Sequence, residues 1–470
     1  MAYKTDMKSE IIIIGGGAAG LMAAYGAAKT LVDNGSSAQV TVLEKMPRPG
    51  RKIMITGKGR CNFTNLKNWN DFSTHIRSKS NFVKNAFFNL SSEAVIDFMN
   101  EYGLETVVER GDRAFPASHH ASDVVDTLIR AISGYGVKLL TDCEVTDVLC
   151  QGEGYKVNLA DGSEYKCAKL IIATGGLSYP GTGSTGDGYK WAEQLGLSIK
   201  PLFPSLTALV PKGYKVDEQF SSMKGHIERS TPLSELGKSL NGVQLKNIGL
   251  SAIVDGLEVE NEFGDIDFTD GGLEGPLGFQ LSRRCVKAII NGSKVSLSID
   301  LKQGVPYEEI AARVRSLWDE IARDPRSRGK GDKEKCRVLL GKLMPWELIP
   351  AFIATNPELI KVERRPGTKN SSGRYNMGAT KTFVNLAAIA RALKDWRFEI
   401  AGFVGYERCV VTAGGVSTDD LIAKTMESRK LPGLYFCGEL IDVDADTGGY
   451  NLQLAFSTGY LAGQSAARSL

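Results

Sequence analysis

Gly15, Gly17 and Gly20 spell G-x-G-x-x-G, a spacing suited to holding a pyrophosphate. The first glycine makes a tight turn, the second lets the backbone approach a phosphate, and the third lets helix and strand pack closely. Ala18 and Ala19 lie in the same turn, ahead of a helix whose free N–H groups and positive dipole end face the same anion. Glu44 ends the next apolar run, where a carboxylate can accept both hydroxyls of an adenosine ribose, with Lys45 beside it. A carboxylate there disfavours a 2′-phosphate, so NADP is not expected at this site. Arg51, Lys52, Arg60, Cys61 and Asn62 follow in a segment broken by Gly50, Gly57 and Gly59, glycines that let backbone lie against a ligand. Arg51 or Arg60 could offset pyrophosphate or reduced-ring charge, or hold the loop by salt bridges. Cys61 is a candidate proton donor, since a free thiol titrates near about 8.5, or else a small buried side chain. Tyr179 and Tyr450 border other glycine-rich segments, and Tyr450 is a second candidate acid. His119 and His120 could face a cleft or sit exposed at a helix start, and Asn62 and Asn65 could bond a ligand or cap a turn.

These groups need elements to place them. Ile11–Ile14 is a β-branched run suited to a strand buried on both faces, leading into the glycines and a helix over Leu21–Val32. A second strand over Gln39–Leu43 delivers Glu44. Leu170–Ala173 is another apolar strand, ending in Thr174, Gly175 and Gly176. Before it, Glu144–Val148, Tyr155–Leu159 and Glu164–Cys167 alternate as a meander turning at Asp161–Gly162, with Val145 placed against the cofactor. Far along the chain, the strand at Gly433–Glu439 brings Gly438 and Glu439 to a ribityl hydroxyl. Gly449, Tyr450 and Asn451 start a helix running through Leu461, whose N–H groups suit the N1–O2 edge of a flavin. A nicotinamide enzyme has no need of this last piece, so the three segments in this order point to FAD. Gly181, Gly183 and Gly186 repeat the glycine spacing, but no strand runs directly into them; they read as a loop opening a helix at Asp187–Leu195.

The bulk properties agree with a globular enzyme. The chain has 470 residues, too many for one hydrophobic core, with 42% hydrophobic residues, 24% charged residues and a formal net charge of +3. Its 8 cysteines form no C-x-x-C pair and there are only 4 histidines, so no metal site is expected and a reducing cytoplasm suits the thiols. No apolar stretch is long enough to span a bilayer, and no membrane partner is expected. The expected fold is α/β. A discontinuous Rossmann-like FAD-binding domain covers 1–200 plus 409–470. A β-rich substrate or cap domain covers 201–301 plus 376–408, and a mainly helical, basic insertion covers 302–375.

The motifs resemble the BaiN/RdsA-type NAD(P)/FAD-dependent oxidoreductase family. The resemblance covers most of the chain and is carried by "GRKIMITGKGRCNFTN" at Gly50–Asn65, "ATGGLSYPGTGSTGDG" at Ala173–Gly188, "PSLTALV" at Pro204–Val210 and "TAGGVS" at Thr412–Ser417. The long segment Thr425–Gly463 completes it. Lys58 stands where the family usually has glycine, and Asp270–Gly271 where a His-Phe pair is common. The resemblance implies non-covalent FAD, NAD(P)H as a transient reductant, and reduction of a C=C bond conjugated to a carbonyl. The substrate would be a uracil of ribosomal RNA, giving dihydrouridine, or a steroid-like enone. Such a reaction needs an electron donor, a partner for the developing enolate oxygen, and a proton source; Cys61, Tyr450 and Arg60 are the residues expected to serve it.

A local charge bias bears on the substrate. Arg323, Arg326, Arg328, Lys330, Lys333, Lys335 and Arg337 face only Asp324, Asp332 and Glu334; Lys361, Arg364, Arg365, Lys369 and Arg374 face only Glu363. Such a run could engage RNA phosphate or be a solvated face. Two other readings stay open: an FAD-containing RNA-binding or redox-sensing factor, and a flavin oxidase or hydroxylase.

Overall fold

The computed structural model describes residues 7–8, 10–216, 223–364, 368–369, 375–376 and 380–470. The chain divides into two compact units, Met1–Leu206 with Tyr406–Leu470, and Thr207–Gly405.

The first unit is built on a parallel five-stranded sheet, in the order Leu434–Phe436, Lys169–Ile172, Ile11–Ile14, Val40–Leu43 and Lys138–Leu140. Ile11–Ile14 is central and wholly buried, which is why four consecutive isoleucines suit it. Its register places Ile11 opposite both Lys169 and Val40, so all three strands end at one edge of the sheet. The helix Ala18–Asp33 starts earlier than its apolar pattern suggests, because Gly17 serves as an extended N-cap with no side-chain bond. The final helix, Tyr450–Arg468, continues about two turns past the expected end. It lies against Ala18–Asp33 at backbone distance: a Cβ on Gly459 would stand 2.2 Å from the Ala19 carbonyl oxygen, and one on Gly463 2.0 Å from that of Ala23. Val145–Gln151, Gly154–Leu159 and Glu164–Cys167 form the expected antiparallel meander, joined by Met7–Lys8.

The second unit is β-rich, as expected, and its strands close. Leu209–Pro211, Gly272–Glu274, Leu257–Thr269, Gln244–Val254, Val295–Asp300 and Trp396–Phe403 form a six-stranded barrel in that order. Alternate residues such as Val295, Leu297 and Ile299 are buried, the period of two that lets one face of each strand fill the interior. The helices Tyr307–Arg323, Asp332–Gly341 and Ile349–Thr355 belong to this same unit. Among the described residues no helix is long and apolar enough to cross a membrane.

Candidate FAD site

A cavity of about 450 Å³ opens at the C-terminal edge of the parallel sheet, lined wholly by residues of the first unit. That is the edge where open α/β sheets bind ligands, and the volume lies in the roughly 300–1,000 Å³ range of small-molecule sites. Gly15, with φ 104°, turns the chain out of its strand, and a Cβ there would lie 2.6 Å from the Ala173 carbonyl oxygen. Gly17 lines the cavity and has nothing within 4 Å of where its Cβ would be. That open space at an uncapped helix start is the room a pyrophosphate needs. Gly20 is not on the wall; its Cβ would stand 1.8 Å from the Gly15 carbonyl oxygen, so it serves the packing of helix on turn.

Glu44 is nearly buried, and both its oxygens accept backbone N–H groups, Oε2 from Gly16 at 2.7 Å and Oε1 from Met46 at 2.8 Å. Burial pushes its carboxyl up; the two N–H donors and the Lys45 and Arg51 charges pull the other way without cancelling it. Each oxygen keeps a lone pair for a hydroxyl. Lys45 bridges to the loop after Gly183, with Nζ 2.5 Å from Thr185 Oγ1 and 2.7 Å from Asp187 Oδ2.

Two buried acceptors on the wall have no protein partner: Asn62 Oδ1 and Thr174 Oγ1. Buried polar atoms are ordinarily satisfied, so these two ask for ligand donors. Asn62 Oδ1 lies 2.9 Å from the position of a Cβ on Gly449, the residue that opens the final helix with φ 98°. The residues present therefore fit FAD. Glu44 would take the adenosine ribose, the Gly15–Ala19 backbone the pyrophosphate, and Asn62 with the Gly448–Asn451 helix start the ring.

Most of the expected binding residues meet at this cavity: Gly15, Gly17, Ala18, Ala19, Glu44, Lys45, Arg51, Lys52, Gly57, Asn62, Val145, Ala173, Thr174, Gly175, Gly438, Glu439, Gly449 and Asn451 all line it. Gly59 does not. Glu439 has less freedom than a ribityl partner would want. It accepts from Lys52 Nζ at 2.5 Å, from Ser178 Oγ, and from the Thr412 N–H at 2.9 Å. Asn451 is likewise committed, its side-chain amide bonding Ala445 and Asp446.

The structure changes the picture for the proton donors. Cys61 is fully buried and absent from the cavity wall, and burial pushes its thiol up to about 12. Tyr450 is also buried and off the wall; its ring stacks on His75 at 4.4 Å and meets Phe72 edge-on at 4.9 Å. Burial raises its hydroxyl well above the ordinary tyrosine value. Both are packing groups beneath the site. Arg60 does line the cavity, with its guanidinium 4.5 Å from the Phe115 ring centre, paired with Glu109 and 2.9 Å from His119 Nδ1. Tyr179 and His120 do not line it.

The sequence reading missed several wall residues. Thr182, Gly183, Ser184 and Asp187 come from the second glycine-rich loop, and Arg113 and Phe115 from the strand Arg113–Pro116. It also missed Asp446, nearly buried beneath the helix start and held by Arg77 Nε at 2.5 Å, Arg77 Nη2 at 2.8 Å and His75 Nδ1 at 3.0 Å. Seven cations line the cavity. Lys45, Arg48, Lys52 and Arg60 have carboxylate partners. Arg51, Lys58 and Arg113 have no ion pair among the described residues.

Comparison with known proteins identifies the lineage. Residues 9–465 match the family described as "HI0933-like protein Rossmann domain". The chain is 30% identical over 460 residues to the 3-dehydro-bile acid delta(4,6)-reductase of Clostridium scindens, covering 98% of this chain and 99% of that one. It is 31% identical over 464 residues to the ribosomal RNA dihydrouridine synthase of Haemophilus influenzae (98% and 99% covered), and 30% identical over 455 residues to that of Escherichia coli (97% of each). The chain belongs to this family of FAD-dependent oxidoreductases, as its motifs led us to expect.

Proposed function

We propose that this member of the family uses NAD(P)H to reduce a carbon–carbon double bond conjugated to a carbonyl. The observation that carries the reading is the wall around Asn62. An unpartnered buried acceptor beside the start of the final helix lies in a cavity also lined by Lys58, Arg60 and Arg113. FAD, when bound, supplies the two-electron chemistry. The chain supplies orientation and charge. Asn62 Oδ1 and the Gly448–Asn451 turn orient the ring end, and Asp446 with Arg77 and His75 braces that turn from below. Lys58 and Arg113, free of carboxylates, stabilise negative charge developing on the substrate carbonyl oxygen. Arg60 is steered by Glu109 and Phe115, so it positions more than it neutralises. With Cys61 and Tyr450 buried, the proton comes from solvent or substrate side rather than from either of them. The reducing cytoplasm is the proposed setting, since all eight cysteines are free.

The relatives bear on two substrate classes, a bile-acid dienone and a uracil in ribosomal RNA. The test begins with colour: the purified protein should carry a flavin absorbance that bleaches anaerobically with NADH or NADPH. The bleached protein should be reoxidised by a conjugated enone or by uridine-containing RNA. Rapid reoxidation by oxygen with peroxide release, and none by either alkene, would replace this reading with an oxidase.

A further inference from the structure

The second unit carries a surface that the cavity chemistry leaves unexplained. On the helix Asp332–Gly341, Lys333 and Arg337 are four residues apart, and Gly341 is four further on, so the three lie along one stripe. Lys333 and Arg337 are exposed, while Cys336, Leu339 and Leu340 on the other side are buried. The stripe ends in an aromatic ring: Trp346 lies over Gly341, its Cζ2 2.5 Å from where a Cβ would be, yet the residue is 59% exposed. Upstream, Arg323, Arg326, Arg328 and Lys330 are exposed as well. Of these six cations only Arg326 has an ion pair among the described residues, with Asp324 at 3.2 Å. Arg365 and Arg374 of the second basic run lie outside the described residues, and of Arg364 and Lys369 only the backbone is described.

We propose that this stripe is a binding surface for single-stranded RNA, with Lys333 and Arg337 on successive phosphates and Trp346 as a stacking platform for an unpaired base. The inference rests on the RNA arm of the proposed function and selects RNA over a free enone. Unpaired cations alone would suit any polyanion. The exposed indole at the end of the row discriminates, because stacking on a nucleobase is what an aromatic face adds in single-strand recognition. Gly341 sets the device: any side chain there would displace the ring.

The test uses the FAD-loaded protein and a fluorescein-labelled, uridine-rich single-stranded oligoribonucleotide, followed by anisotropy across a salt series. Trp346→Ala should weaken binding on the order of 10-fold or more, and Trp346→Phe should recover much of that loss. Lys333→Glu with Arg337→Glu should weaken it further and flatten the log–log salt slope by roughly 1.4, about 0.7 for each phosphate released. Lys287→Glu, an exposed cation elsewhere on the same unit, should leave binding unchanged. Failure of the wild type to bind RNA at low salt overturns the proposal. So does an equal loss with Lys287→Glu, or preferential binding of phosphatidylserine vesicles. Bleaching by NAD(P)H is read separately in every variant and should not move. RNA binding that yields no dihydrouridine would refute the RNA arm of the proposed reaction and leave this surface standing.

Discussion

The first unit contains G-x-G-x-x-G twice, at Gly15–Gly20 and at Gly181–Gly186, and the two copies do different things. In the first, the strand Ile11–Ile14 feeds directly into the glycines, Gly17 faces open space, and Gly20 is held against the Gly15 carbonyl. In the second, a 3₁₀ turn over Pro180–Thr182 takes the place of the strand, a Cβ on Gly181 would meet nothing within 4 Å, and one on Gly183 would stand 2.9 Å from the Met46 side chain. The first copy is a helix start aimed at an anion. The second is a loop pinned by Lys45, with Thr182–Ser184 lining the same cavity. Spacing is common to both; what differs is the element on the N-terminal side and the space beyond each Cα.

The sharpest way to break this comparison is to add one methyl group to each copy. Gly20→Ala should cost about 3 kcal/mol or more and abolish flavin retention, since the new Cβ meets backbone that cannot yield. Gly181→Ala should change stability by less than about 0.5 kcal/mol; thermal melts of the two variants with flavin absorbance decide it. Equal effects would mean that the two loops are equivalent. Next in size is Glu44→Gln. One of the two backbone N–H donors would then face an amide N–H₂, so stability should fall by about 1–3 kcal/mol and FAD should dissociate more readily on dilution.

A smaller effect probes the pin of the second loop. Asp187 is held below the usual carboxylate range: burial pushes it up, but bonds from Lys45 and Thr185 outweigh that. A depressed carboxyl stabilises the fold above its unfolded value and loses that contribution as pH falls through the folded value. Melting temperature should therefore fall less steeply below the ordinary aspartate range in Asp187→Asn than in the wild type. Smallest is Lys58→Gly. Lys58 holds φ 57°, so glycine should gain roughly 0.5 kcal/mol by relieving a left-handed side chain, net of its own chain entropy. Turnover should nonetheless drop, because an unpaired cation leaves the cavity; turnover unchanged would remove Lys58 from the proposed chemistry.

Local signals were legible and spatial ones were not. Ile11–Ile14, the glycines, Glu44 and the Ala173–Gly175 strand end are read from neighbours in sequence, and Ile14, Gly15, Gly17, Glu44 and Ala173–Gly175 line one cavity. Cys61 misleads because a thiol beside Arg60 and Asn62 looks placed for chemistry, while a φ of 57° turns it under the loop into the core. Tyr450 misleads similarly: its neighbours Gly449 and Asn451 line the cavity, yet its own ring points back onto His75 and Phe72. Gly176 could have signalled the Thr412–Glu439 contact, since a Cβ there would stand 2.5 Å from Thr412 Oγ1, but nothing in the local sequence says which distant strand it meets. Barrel closure in the second unit depends on strand pairing over long separations, which alternation alone does not encode.

The helix Tyr450–Arg468 rests on Ala18–Asp33 through glycines that leave no gap between backbones, and the strand Leu434–Phe436 completes the sheet beside Lys169–Ile172. During synthesis, therefore, the glycine turn and Glu44 emerge from the ribosome long before the pieces that close over them. Until then the nascent chain carries an unpaired sheet edge and a bare helix flank, and the barrel unit is made in the interval. The cavity wall is complete only after the closing helix has docked, so flavin loading in the cell would report on whether both parts of the first unit have been made and folded together.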